Sequence, residues 1–255
     1  MTPTTLRAPF GWVGGKSALA KKIVELMPEH KMYIEVFGGA LNVLYRKPIA
    51  KREIINDING DLINLHQVIK NHPETLREKL KMELKSREIF NRIKRGEYEI
   101  RGDIDRAMQF YYRIKNTFGC NQTTFAETCV RNLAKDFKKY SERLRRVTIE
   151  NKSFDEIIKQ YDRDYSLFYL DPPYVGTEKY YDTGFGIKEH KELAELLKNI
   201  KGRFMLSYED NEMIRELYKD YYFKTITIDR TLSNNTGKRK RAIELIISNF
   251  KLQEE

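Results

Sequence analysis

The chain of 255 residues carries 47 Lys and Arg against 37 Asp and Glu, a formal charge of +10 that favours a polyanionic partner. With 40% hydrophobic and 33% charged residues it reads as one soluble globular domain, or a domain with a sizeable insertion, and no run approaches the roughly 18 apolar residues of a membrane span. Met1 to Arg7 lack the apolar core of a secretory signal, so a cytoplasmic protein is expected, and Cys120 and Cys129 lack the spacing or neighbouring histidines of a zinc site and read as free thiols.

The first feature in chain order is Ala8-Pro9-Phe10-Gly11-Trp12-Val13-Gly14-Gly15-Lys16-Ser17, which leads into a helical pattern at Leu19, Ile23 and Leu26. Its ending suggests a phosphate-binding loop of the form GxxxxGKS, but that motif needs glycine where Phe10 stands, and Pro9 spoils the strand that should precede it. What remains is a glycine-rich entry to a helix, tolerant of anions, in which Trp12 offers an aromatic face and Lys16 a positive charge. Met32 to Ala40 then reads as an apolar strand through Phe37 that ends in Gly38 and Gly39, with Leu41, Val43 and Leu44 at helical spacing beyond it. The glycines let backbone approach a ligand closely. A second strand, Glu53 to Asn59, presents Asp57 where nucleotide-type α/β folds hold ribose hydroxyls. The competing reading makes Asp57 the N-cap of a helix from Asp61 to Ile69.

From Lys70 to Arg146 strand-like runs give way to helical spacing: Leu76, Leu80, Leu84; Ile104, Ala107, Met108, Tyr111, Tyr112; Leu133, Phe137, Tyr140, Leu144. Residues 70–146 therefore read as a helical domain inserted into a β-α alternation that occupies 1–69 and 147–255. Its last helix, expected from Arg131 to Arg146, holds seven Lys or Arg, including Lys138 and Lys139, against two acidic residues. Such a surplus suits phosphate contact as well as a solvated face. Between these helices the polar connection Asn116 to Phe125 contains Phe118, Asn121 and Gln122; amide side chains can pair with an adenine edge, so this loop is the candidate base reader, against the plainer reading of a surface loop.

Strands resume at Val147 to Asn151 and, after a short helical piece from Phe154 to Ile158, at Ser166 to Leu170. That last run stops at Asp171-Pro172-Pro173-Tyr174, at the strand end where open α/β sheets bind ligands. These four residues suit transfer to the exocyclic amine of a nucleic-acid base, whose lone pair is delocalised into the ring. Asp171 can accept one N–H of the amine, the Pro172 carbonyl the other, and Tyr174 offers a stacking face for a base taken out of the duplex. The plainer reading is a Pro-rich turn with an exposed Asp. A helix through Leu193, Leu196 and Leu197, a strand from Phe204 to Tyr208, a helix from Asn211 to Lys219 and strands Tyr222 to Ile228 and Ala242 to Phe250 complete the chain. The final strands read as a hairpin whose polar tip, with Asn234, Asn235, Lys238 and Arg239, could lie on a DNA backbone.

The ordered set PFGWVGGK, IEVFGGA, INDIN, a helical insert, FYLDPPY, EKYYDTGF, LSYEDNE and SNNTGKRKRAIEL resembles the Dam-type (D12 class) DNA adenine-N6 methyltransferases, over essentially the whole chain. The resemblance implies a Rossmann-like class I methyltransferase sheet with an inserted helical target-recognition domain. It implies S-adenosylmethionine as cofactor, with Trp12 and Lys16 lining its pocket, Phe37, Gly38 and Gly39 under its methionine part and Asp57 on its ribose. Asp171 to Tyr174 would handle a flipped adenine in double-stranded DNA, with GATC a candidate site. No metal and no membrane are expected, and a cognate restriction enzyme is a partner the resemblance allows. N4-cytosine methylation and a catalytically inactive DNA-binding module stand as alternatives; protein glutamine methylation is disfavoured because that family has Asn in place of Asp171.

Overall fold

Side-chain alternation along the central strands sorts their residues between two cores. The computed structural model describes residues 6–117, 120, 122–127, 133–176, 184–230 and 240–252. The apolar runs form β1 (Met32–Glu35), β2 (Arg52–Asn56), β3 (Val147–Glu150), β4 (Ser166–Leu170), β5 (Arg203–Glu209), β6 (Tyr222–Arg230) and β7 (Lys240–Ser248). Tyr33, Ile55, Leu167, Tyr169 and Met205 enter one apolar cluster, whereas Ile34, Ile54, Phe168, Leu170, Phe204 and Leu206 enter another on the opposite face. Burial on both faces is why these strands read as continuous apolar runs.

Helices α1 (Ala20–Glu25), α2 (Gly60–Asn71), α3 (Pro73–Met82), α4 (Arg87–Lys94), α5 (Asp103–Lys115) and α6 (Lys138–Leu144) contribute to the first cluster. Helices α7 (Phe154–Tyr161), α8 (Ile187–Lys198) and α9 (Glu212–Leu217) cover the second. The helices of 70–146 therefore share a core with the sheet. None of the described helices is long and apolar enough to cross a membrane.

The strand order is β3-β2-β1-β4-β5-β7-β6, parallel from β3 to β5, with β7 antiparallel to both neighbours. From β1 the chain winds one way to β2 and β3, then returns past β1 to β4 and β5. The crossover direction reverses between β1 and β4, and a crevice opens there at the carboxyl ends of the strands. Asn56 ties those ends together: its amide donates to Val36 O and Lys152 O, each at 3.0 Å, and its Oδ1 accepts the Lys152 amide at 2.8 Å.

Four local expectations change. Residues 41–47 form irregular turns rather than a helix, because Leu41 sits at a left-handed φ of 59° and the Leu44 amide is taken by Glu35 Oε2 at 3.0 Å before the chain reaches Pro48. Leu84 is 75% exposed, since α3 ends at Met82 and Glu83 is extended. The helix expected from Arg131 is α6 alone among the described residues, as Asp136 Oδ1 takes the Lys138 amide at 2.9 Å and starts the helix there. An unforeseen helix, α4, is capped by Ser86 and buries Phe90 and Ile93.

The basic surplus of the α6 segment is also partly internal. Arg143 is buried and donates to Glu53 Oε1 at 2.9 Å and to Leu44 O at 3.0 Å, while fully buried Lys47 reaches the same Glu53 oxygen at 2.7 Å. Hydrogen bonds and charge from these two cations hold the Glu53 carboxyl below its ordinary range despite burial. Arg143 thus clamps α6 to β2 instead of facing solvent. Lys138 and Lys139, on the first turn of α6, are exposed.

Candidate active site

Strand β4 is fully buried and delivers Asp171 to the crevice, where Pro172 and Pro173 are buried and Tyr174 turns back over the site. Lys16 arrives from the glycine turn before α1: Gly15 N donates to Trp12 O at 3.0 Å, Gly14 is left-handed, and the ammonium bonds Gly14 O at 3.0 Å. That ammonium lies 2.7 Å from Asp171 Oδ1 and 4.6 Å from the centre of the Tyr174 ring. Ser207 of β5 and the Tyr174 hydroxyl also reach Asp171 Oδ1, both at 3.4 Å. Among the described residues, every donor to Asp171 therefore uses Oδ1. Burial raises the Asp171 carboxyl above its ordinary range, and Lys16 opposes that shift.

A second carboxylate completes this cluster. Glu244 of β7 is 1% exposed; its Oε1 accepts the Tyr174 hydroxyl and lies 3.4 Å from Lys16 Nζ. Burial is again the main cause that raises its carboxyl.

A cavity of about 330 Å³ runs along the strand ends from Asp57 to Asp171. Trp12, Lys16, Phe37, Gly38, Gly39, Asp57 and Asp171, singled out in the sequence for cofactor contact, all line it. Its aromatic end comprises Phe37, stacked on Phe154 with ring centres 6.1 Å apart, and Phe185, edge-on to Phe37 at 5.6 Å. The two glycines are required by close approach: a Cβ on Gly38 would lie 2.9 Å from Asn56 O, and one on Gly39, at φ 51°, would lie 2.9 Å from Trp12 Cδ1.

Asp57 does not cap α2. The cap is Asn59, whose side chain accepts the Leu62 amide at 3.0 Å. Asp57 instead accepts the Gly39 amide on Oδ2 and the Asn59 amide on Oδ1, each at 2.9 Å, bracing the glycine turn. Glu35, buried beneath the cavity, accepts Tyr33 OH at 2.9 Å and the Leu44 amide at 3.0 Å; burial pushes its carboxyl from 4.5 to about 8.

Sequence reasoning missed Phe154, Phe185, Glu35, Ser207 and Glu244 as parts of the site. For Glu244 a signal was present: a single carboxylate inside the apolar strand Ala242 to Ile247 needs a buried partner.

Of the expected DNA contacts, Lys138 and Lys139 are exposed, and Phe118, Asn121, Asn234, Asn235, Lys238 and Arg239 lie outside the described residues, as does Cys129. Gln122 is half-buried at a left-handed φ of 59°, above a loop base pinned by the antiparallel Thr117–Phe125 bridge and by Ala126 N to Asn116 O at 2.7 Å. The described residues contain no group of His, Cys, Asp and Glu arranged to hold a metal.

The family model for D12 class N6 adenine-specific DNA methyltransferases matches residues 12–234, which include the glycine turn, the cavity and the Asp171 strand end. The chain belongs to this family. Its relatives include the type II methyltransferase M1.LlaDCHI of Lactococcus lactis subsp. cremoris, 26% identical with 96% of each chain covered. The DNA adenine methylase of Salmonella typhi is 25% identical with 94% of each covered, and the retron Ec67 DNA adenine methylase of Escherichia coli is 26% identical over 92% of this chain and 88% of that one. As a D12 enzyme the protein methylates N6 of adenine in DNA, so neither cytosine N4 methylation nor an inactive binding module describes it.

Proposed function

We propose that this D12 enzyme binds S-adenosylmethionine in the cavity between Asp57 and Asp171 and methylates an adenine flipped out of double-stranded DNA against Tyr174. The observation that carries the reading is the continuity of that cavity: the two strand-end carboxylates, one suited to a ribose and one to a base amine, line a single space. Its volume falls in the small-molecule range of about 300 to 1,000 Å³.

The residues present fit the cofactor. Each Asp57 oxygen accepts one backbone N–H, which leaves a lone pair on each for a vicinal diol. Phe37, Phe154 and Phe185 form an apolar cradle for a purine, and the glycine turn admits a chain against backbone. When bound, S-adenosylmethionine supplies a methyl carbon made electrophilic by its sulfonium.

Asp171 does the work on the acceptor. Its Oδ2, which takes none of the contacts described at Oδ1, accepts one amine N–H, and the Pro172 carbonyl accepts the other, localising the nitrogen lone pair. With the cofactor bound, the amine would take its methyl as the sulfonium becomes a neutral thioether, and the proton lost from N6 would pass along its hydrogen bond to the Asp171 carboxylate. Holding the Asp171 carboxylate and the Pro172 carbonyl at fixed places around that nitrogen is electrostatic preorganisation.

Sequence choice belongs, on this reading, to residues 70–146 and to the β6–β7 hairpin, a reading supported by exposed Lys138 and Lys139. A cognate restriction enzyme as partner rests on the type II name of the Lactococcus lactis relative. The cofactor assignment is tested by calorimetry without DNA. Asp57→Ala should weaken S-adenosylmethionine binding by about 1.5 to 3 kcal/mol, the range for hydrogen bonds to a charged group. An unchanged Kd would remove Asp57 from the cofactor site.

A further inference from the structure

The strand β7 places a second buried carboxylate beside the catalytic one. Glu244 is 1% exposed, Lys16 is 7% exposed, and the ammonium stands between the two acids at 2.7 Å from Asp171 and 3.4 Å from Glu244. The Tyr174 hydroxyl donates to the Glu244 oxygen that Lys16 approaches, and the Tyr174 ring lies beneath the same ammonium. Ser207 links the cluster onward to the Tyr169 hydroxyl at 2.8 Å.

Charge counting shows what this second acid changes. Lys16 and Asp171 alone would be a neutral pair, and an adenine amine would meet a carboxylate whose charge is largely cancelled by an ammonium 2.7 Å away. Burial raises both carboxyls and the Lys16 ammonium between them opposes that shift; with both acids ionised the cluster of one ammonium and two carboxylates carries a net negative charge. Methyl transfer moves positive charge from sulfur onto N6 beside Asp171, and fixed negative charge at that place in a water-poor site favours the transition state.

We propose that Glu244 is a positioning residue of the methyl-transfer site: it shares the Lys16 ammonium, so that Asp171 keeps its acceptor strength toward the base amine, and it fixes the Tyr174 ring by accepting its hydroxyl. The inference rests on the reading of Asp171 as the amine acceptor. A buried carboxylate with no such task would be an unfavourable occupant of an otherwise apolar strand. Glu244→Gln keeps the side-chain shape and an acceptor for Tyr174 but removes the charge.

The test is the single-turnover rate of methyl transfer from labelled S-adenosylmethionine to duplex DNA, with both in saturating amount, measured with cofactor affinity and melting temperature. Glu244→Gln should slow the step by about tenfold or more, as a lost charge contact in a preorganised site does, with cofactor affinity and melting temperature unchanged. Lys16→Met with Glu244→Gln restores the single negative charge and should run faster than Glu244→Gln alone. Glu244→Asp, which keeps the charge on a shorter arm, should retain more of the rate than Gln. A wild-type rate for Glu244→Gln, a loss confined to cofactor affinity, or a double variant slower than the single one overturns the proposal. Where Gln prevents folding, a folded Glu244→Asp as slow as Asp171→Ala overturns it as well. Asp171→Ala run in parallel separates the two levels: if it is inactive while Glu244→Gln runs at the wild-type rate, only the role of Glu244 fails, and if it turns over normally the reading of the site itself fails.

Discussion

Lys16, on the glycine turn before α1, places its ammonium 2.7 Å from Asp171 at the end of β4. On the proposed reading of Asp171, the N-terminal segment takes part in the reaction site as well as lining the cavity. The turn that positions it is backed by Trp12, whose ring packs 6.0 Å from Phe110 of α5. Through that contact α5 meets the glycine turn that carries Lys16.

Phe154 gives a direct test of the aromatic cradle, because it is half-exposed at the start of α7 and can be truncated without emptying a core. Phe154→Ala should weaken cofactor binding by about 1 to 3 kcal/mol, the usual worth of a base–aromatic stack. Calorimetry without DNA measures it, and an unaltered Kd would place the cofactor base elsewhere.

Glu35 predicts a pH dependence of stability. Its folded carboxyl titrates at about 8, against 4.5 ordinarily, because it is buried. Between those values the folded chain holds a proton that the unfolded chain has released, so the contribution of Glu35 to stability is fully present below about 4.5 and is lost as pH rises toward 8. Glu35→Gln should flatten that decline in denaturant titrations across the window. An identical slope in both proteins would show that Glu35 is ionised in the fold.

Arg143 and the Lys138–Lys139 pair should separate cleanly. Arg143→Met leaves part of the Glu53 charge uncompensated and should cost about 3 to 5 kcal/mol in urea unfolding, as broken buried pairs do. Lys138→Ala with Lys139→Ala should change stability by no more than about 0.5 kcal/mol, yet reduce the salt slope of DNA binding by about 2. Loss of stability in the lysine variant, or of salt dependence in Arg143→Met at full stability, would reverse the assignment.

These contrasts also show what was legible in the chain. The seven strands among the described residues were visible, the central β1, β2, β4 and β5 because burial on both faces leaves unbroken apolar runs, and the ordered motifs pointed to the cavity lining from Trp12 to Asp171. Arg143 was not separable from its basic neighbours, since only the fold brings α6 against Glu53. Glu244 lay in a strand where Ile243 is 43% exposed and Glu244 1%, the reverse of what hydrophobicity alone would assign. The turn after Gly39 was misread as a helix because apolar spacing does not register the left-handed Leu41.

Gln122 tests where bases are read. Gln122→Ala or Asn121→Ala should reduce preference for the cognate site over one-base variants by about 1 to 3 kcal/mol, measured as relative methylation across a randomised duplex library. Unchanged site preferences would move recognition to the hairpin between β6 and β7.

The most direct measurement is methyl transfer from labelled S-adenosylmethionine to duplex DNA by wild type and Asp171→Ala, with nucleoside analysis of the product and DNA retardation in a gel. The wild type should yield N6-methyladenine. Asp171→Ala should lose at least about a hundredfold in rate, the scale of a deleted electrostatic contact to a transition state, while its DNA affinity, set by phosphate contacts, is retained. Wild-type turnover by Asp171→Ala, or a methylated base other than N6-methyladenine, would contradict the account.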